Sequence, residues 1–331
     1  MTGELDRLIA LGDLDELTRH VDRLCDAGDW DGLVATRDRA RAALDRGKQL
    51  WPVASLAEYR LALEAPAAWA GPVVVPGAGR FALGPLPEVA ASRHPWCELA
   101  PHVPSGPLAA VTAHERVVRG EDLREDPRVD PSILELPLAL ERWEPTYPVA
   151  TYHPDRVELP FPRAPEVGGP PPAESNGDAE VQPVEDPEGC RALSELVGVR
   201  TTESDGRAEA VAVSGHAADA VRALGISRAR RRRIDGAHAM AVMAWCAASG
   251  GAHGRRRGMA AGRFAAWWAS AALAGMLDAW PLTGADLGQA VAAHRWWLWD
   301  AGEPETGWVL RMAVEDTANR RAWALSAIDA A

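Results

Sequence analysis

A helix-rich α+β protein is predicted by three features of the 331-residue sequence. The first 65 residues carry helical apolar spacing cut by Gly-Asp steps. Residues 160–189 interrupt the chain with proline and acid. Residues 190–331 alternate strand and helix patterns, with alanine and tryptophan dominating the helices. The length suits two domains with room for sizeable cores. The expected organisation is a helical domain over 1–159, a Pro-rich acidic linker over 160–189 and an α+β domain over 190–331.

The N-terminal elements follow from a repeated punctuation. Gly12-Asp13-Leu14-Asp15-Glu16-Leu17 returns sixteen residues later as Gly28-Asp29-Trp30-Asp31-Gly32-Leu33. In each copy glycine closes one helix and aspartate caps the next. Leu14, Leu17, Val21 and Leu24 mark one face, and Trp30, Leu33, Val34 and Leu44 mark the next. A third start follows Gly47, with Pro52 in its first turn. Helix pairs of roughly 32–34 residues approach the tetratricopeptide period, so antiparallel helix pairs are expected, similar to helical repeats in period alone. Val73-Val74-Val75, Pro76-Gly77-Ala78-Gly79 and Arg80-Phe81-Ala82-Leu83 read as a small β-hairpin near 72–83. Helices follow around 86–92, 95–100 and 107–119, then short segments between prolines.

In the C-terminal part, Asp186-Pro187 opens a helix to about Val197. Glu209–Val213 is a strand, a helix then runs to Gly225, and Ala229–Ile234 is a second strand. Together they make a βαβ unit with parallel strands. Asp235 caps a helix through Ala248, and a long helix spans about Gly258 to Leu277. Thr283 and Asp286 start a helix through Trp299. Trp308–Val314 alternates as a strand. Ala322–Ile328 reads either as its hairpin partner or as a last helix.

Composition removes several chemistries. Lys48 is the single lysine among 35 basic residues and sits in Gly47-Lys48-Gln49, so neither a phosphate-loop lysine nor a kinase-type lysine exists. Cys25, Cys97, Cys190 and Cys246 form no CxxC pair. With no signal-like N-terminus, they read as reduced thiols in a cytoplasmic protein. The longest apolar run, Phe264–Leu277, is too short for a bilayer, so no membrane association is expected. His94, Cys97, His102 and His114-Glu115 match no metal-site spacing, and Val118 replaces the second histidine of HExxH. Gly77-Ala78-Gly79-Arg80-Phe81-Ala82 fits G-x-G-x-x-A, but the Gly84-Pro85 break denies it the helix a dinucleotide fold requires. No cofactor and no metal are expected.

Charge supplies the candidate site. The net charge is −12, yet residues 190–331 hold 17 bases against 14 acids. Ten arginines lie between Arg222 and Arg263, with Asp235 as the lone acid. Guanidinium forks suit phosphate and carboxylate. The Gly250–Gly258 loop leads into a helix start, where free N–H groups attract anions. The anion-binding set is therefore Arg230, Arg232, His253, Gly254, Arg255, Arg256, Arg257 and Arg263, with no catalytic residue assigned. The competing reading is a solvated face, or one docked on the chain's own acids. Nucleic acid is disfavoured, because the patch has no stacking aromatics and the chain is acidic. Fourteen tryptophans, against three Phe and three Tyr, read first as core. The adjacent pairs Trp267-Trp268 and Trp296-Trp297 demand a second buried surface if both are helical, which suggests a protein partner or self-association.

The sequence thus favours a non-catalytic binding or adaptor protein whose arginine patch holds an anionic group on a partner. The alternatives are an enzyme for a phosphorylated or carboxylated small molecule, using His253 with Glu203 or Asp205, and a structural subunit of a homo-oligomer.

Overall fold

Aspartate caps and glycine stops organise the first unit of the fold, as a computed structural model of residues 2–162, 181–302 and 307–330 describes it. Helices α1 (Thr2–Leu11), α2 (Leu14–Ala27), α3 (Trp30–Ala42) and α4 (Trp51–Glu64) follow one another. The Asp13 carboxylate accepts from the N–H groups of Asp15 and Glu16, and Asp29 accepts from that of Gly32. Gly28 ends α2 in the left-handed region, at φ 64°. Leu17, Val21 and Leu24 turn inward from α2, while α4 is buried over nearly its whole length. Its buried Glu58 accepts from Arg41 Nε at 2.6 Å and from the Gly79 N–H at 2.6 Å. Short helices α5 (Ala67–Ala70), α6 (Leu86–Arg93), α7 (Trp96–Leu99) and α8 (Pro107–Val117) complete the layer with the two-residue strands β1 (Thr151–Tyr152) and β2 (Val157–Glu158).

The hairpin expected near 72–83 does not form. Gly71–Val73 is a 3-10 turn, and residues 76–81 are turns followed by a bend. Val73 and Val74 are buried, but Phe81 is 57% exposed, so the second arm has no apolar face to cover.

This unit comprises residues 1–134 with 149–159, and a second compact unit comprises 135–148 with 160–331. The second unit therefore takes residues 135–148 from within the sequence span of the first. The linker expected over 160–189 falls mostly on 163–180, outside the described residues, and its C-terminal end is ordered into a strand and a helix start.

The second unit is built on a six-stranded sheet. Its strands are β3 (Gln182–Pro183), β4 (Arg207–Ser214), β5 (Arg230–Ile234), β6 (Arg295–Asp300), β7 (Trp308–Asp316) and β8 (Arg321–Asp329). The spatial order is β3-β4-β8-β7-β6-β5, with every pair antiparallel. This arrangement revises the βαβ expectation. Strands β4 and β5 do run the same way, but β8, β7 and β6 lie between them. The β7–β8 pair is the C-terminal hairpin, which settles Ala322–Ile328 as strand.

Helix α11 (Ala217–Ala223) covers one sheet face, over a cluster including Val213, Ala313, Ala322, Ala324 and Trp299. Helices α9 (Pro187–Glu195) and α12 (Gly236–Ala248) lie on the other, and α13 (Met259–Leu273) packs on both of these helices and on α14 (Gly284–Ala293). Asp235 caps α12 by accepting from the His238 N–H at 2.7 Å.

The helix expected through Trp299 stops at Ala293, and Arg295–Asp300 becomes β6. A strand with helices on both sides buries consecutive large residues, which a one-sided helix cannot do. Trp296 enters the α12 face and donates to the Val291 carbonyl at 2.9 Å, while Trp297 turns to the α11 face beside Arg231. In α13, Trp267 is fully buried and Trp268 packs on Phe264 and Trp280. No helix among the described residues is long and apolar enough to cross a membrane.

Candidate anion-binding cleft

Strand alternation sets the two faces of β5. Arg230 pairs in register with Asp300, Arg232 with Leu298 and Ile234 with Trp296. These residues share the α12 face, and β7 adds Leu310 and Trp308 to it. Between this end of the sheet and α12 lies a cleft of about 550 Å³, lined by Arg230, Arg232, Leu298, Asp300, Trp308 and Leu310 from the sheet, and by Val242, Trp245 and Cys246 from α12. Phe161 closes one side. The cleft sets an apolar and aromatic wall against charged groups, the combination of side chains by which ligand sites fix orientation.

The aromatic wall is ordered by contact. Trp245 stacks on Trp308 with ring centroids 4.9 Å apart and planes 27° apart, and Phe161 meets Trp245 edge-on at 4.8 Å. The charged wall is cationic. Arg230 and Arg232 are exposed, and no described carboxylate forms an ion pair with either. Asp300 stands across from Arg230, but it accepts from the Gly302 N–H at 2.8 Å and lies 3.8 Å from Arg311. On the reverse face Arg231 sits over Trp297 and Arg311 over Trp299, at 5.8 and 5.3 Å. Burial pushes the Cys246 thiol up, with Arg200 pulling partly back, so the sulfur remains protonated at neutral pH.

The other sequence-derived candidates divide sharply. Arg263 is a correction: it is fully buried and holds Glu144 with two bonds, at 2.8 and 2.7 Å. It also donates to the carbonyls of Pro137 and Ala139. No charge is left for an external anion.

In the Gly250–Gly258 loop the correction concerns the backbone alone. Its backbone donors are taken by the chain's own acids: the Ala252 N–H donates to Asp329 at 2.7 Å and the Arg255 N–H to Glu203 at 3.1 Å. The Arg257 N–H donates to the Ala248 carbonyl. These backbone N–H groups are therefore not open to an external anion. His253 and the side chains of Arg255 and Arg257 are exposed there, Arg256 is half-buried with a partner of its own, and Gly254 lies close against Gly250 and Val199. None of these five residues lines the cleft.

A family model matches residues 15–331, nearly the whole sequence. The chain belongs to DUF6183, a family of unknown function. No curated protein and no solved structure matches this family member.

Sequence reasoning missed Trp245, Trp308, Phe161 and Cys246 as cleft residues. The alternation in Trp308–Val314 was the available signal for the strand. Nothing in the local sequence marks Trp245, because α12 is apolar on every side. Arg200, in a short helix before β4, carries no local signal either.

Proposed function

We propose that this DUF6183 member is a non-catalytic binding protein whose cleft takes an anionic group carried on a flat apolar body. The observation that carries this reading is the pairing of Arg230 and Arg232, on one face of an edge strand, with the Trp245–Trp308 stack across the same cleft. Guanidinium groups recognise oxyanions by geometry as well as charge, and the ring wall favours a planar body. The binding reading is supported over the enzyme reading because His253 lies apart from the cleft, the cleft thiol is protonated, and Asp300 is already engaged. A reducing, cytoplasmic setting belongs to the same proposal, in keeping with four free cysteines.

The test is a titration with 1-naphthyl phosphate, followed by calorimetry at two salt concentrations. The Arg230→Ala/Arg232→Ala variant is expected to bind about tenfold more weakly and to lose most of the salt dependence. The Arg255→Ala/Arg256→Ala/Arg257→Ala variant is expected to match the wild type. Loss of binding in the triple variant alone contradicts the proposal and moves the site to the loop.

A further inference from the structure

Arg200 is the least explained charge in the molecule. It lies in the short helix α10 (Gly198–Thr202) and is 1% exposed. Among the described residues none of its three guanidinium nitrogens has an oxygen or nitrogen acceptor, and the Cys246 thiol is the polar group beside it. A buried cation without a partner is costly, and native structures rarely leave one so.

The fold has nevertheless made room for it. A side chain on Gly251, which sits at φ 70°, would meet the Arg200 stem at 2.8 Å and the Asp329 carboxylate at closer range. A side chain on Gly206 would meet the Arg200 backbone at 2.6 Å. The guanidinium lies over the Trp308 ring, 5.6 Å from its centroid, and beside the Cys246 thiol. Trp308 and Cys246 both line the cleft, so Arg200 stands one side chain behind its wall.

We propose that Arg200 is the inner anchor of the cleft, receiving the oxyanion of an aryl carboxylate or aryl phosphate whose ring lies against the Trp245–Trp308 wall. This rests on the cleft being the binding site and adds the group that fixes the ligand's buried end. Arg230 and Arg232 attract the anion at the rim. The oxyanion passes beside Trp308, the first residue of β7, and supplies the acceptors that the guanidinium lacks. The protonated thiol beside it brings no competing negative charge. A carboxylate or phosphate on a flat ring satisfies both halves of the site, whereas an inorganic ion leaves the aromatic wall unused.

The experiment compares three probes of one shape: 1-naphthoate, 1-naphthyl phosphate and the neutral 1-naphthamide. In the Arg200→Met variant, affinity for the preferred anion is expected to fall about 30-fold, while 1-naphthamide stays within about threefold of wild type. Whichever anion suffers the larger loss identifies the ligand as carboxylate or phosphate. Thermal unfolding of Arg200→Met is expected to stay at or above the wild-type midpoint, because no ion pair is broken. If Arg200→Met does not fold, Arg200→Gln is read in the same way. Equal losses for all three probes, or none for the anions, overturn the anchor and leave Arg200 a support for Trp308. If Arg230→Ala/Arg232→Ala still weakens the anions in that case, the cleft stands without its anchor. If the wild type binds neither anion, both readings fall.

Discussion

Glu144→Ala is expected to be the most damaging single substitution in the second unit, costing roughly 3–5 kcal/mol. Glu144 and Arg263 are both fully buried, with two hydrogen bonds between them. The same carboxylate accepts from Trp267 Nε1 at 2.9 Å and from the Tyr147 hydroxyl at 2.7 Å. The Arg263 guanidinium lies 5.4 Å from the Trp267 ring centroid, and Trp267 packs on Trp143. Removing the carboxylate leaves a cation and two donors stranded in the interior. For a unit of this size the midpoint of thermal unfolding falls by on the order of 10 °C, as measured by circular dichroism.

The pair also sets an acid limit. Burial raises the Glu144 pKa, but Arg263 outweighs it and holds the carboxyl below the ordinary carboxylate value. A carboxylate lowered in the folded state contributes stability above its unfolded pKa and loses it as pH falls through the folded one. Wild type should therefore keep this contribution at mildly acidic pH and lose it only in stronger acid. A Glu144→Gln variant should lack that acid step. An unchanged midpoint in Glu144→Ala, or an unchanged acid profile in Glu144→Gln, contradicts this description of the core.

Trp296→Ala and Trp297→Ala are expected to differ widely although the residues are adjacent. Trp296 is 1% exposed in the α12 face and hydrogen-bonded to Val291, so its loss costs about 3–5 kcal/mol. Trp297 is half-buried beside Arg231, and its loss costs about 1 kcal/mol. Urea unfolding of the two variants checks the difference. Equal losses contradict the strand assignment of this segment.

That segment shows where local reading fails. Trp296 and Trp299 are three apart after an alanine-rich helix, a spacing that continues the helical period. The strand is recognisable only once both sheet faces are known to be covered, which depends on α11 and α12 from elsewhere in the chain. By contrast, Asp13, Asp29, Asp186 and Asp235 act within three residues, so the caps and the helices after them were readable directly. The same limit applies to charge. Arg263 looks like its neighbours until Glu144, 119 residues away, is brought against it. The glycine loop looks like an open anion site until Asp329 and Glu203 arrive to fill it. Arg230 and Arg232 needed only the two-residue period of a strand to share a face. Arg200 depends on tertiary placement, since its ring platform comes from the sheet and the room for its stem from Gly251 in a later loop.

The most direct measurement follows the tryptophan indole N–H signals of the ¹⁵N-labelled protein during titration with 1-naphthyl phosphate. Binding in the cleft predicts that the Trp245 and Trp308 signals, assigned by single substitutions, move together with one saturation curve, while Trp69 and Trp96 stay fixed. Shifts confined to tryptophans outside the cleft, or no saturable shift at all, contradict the central claim.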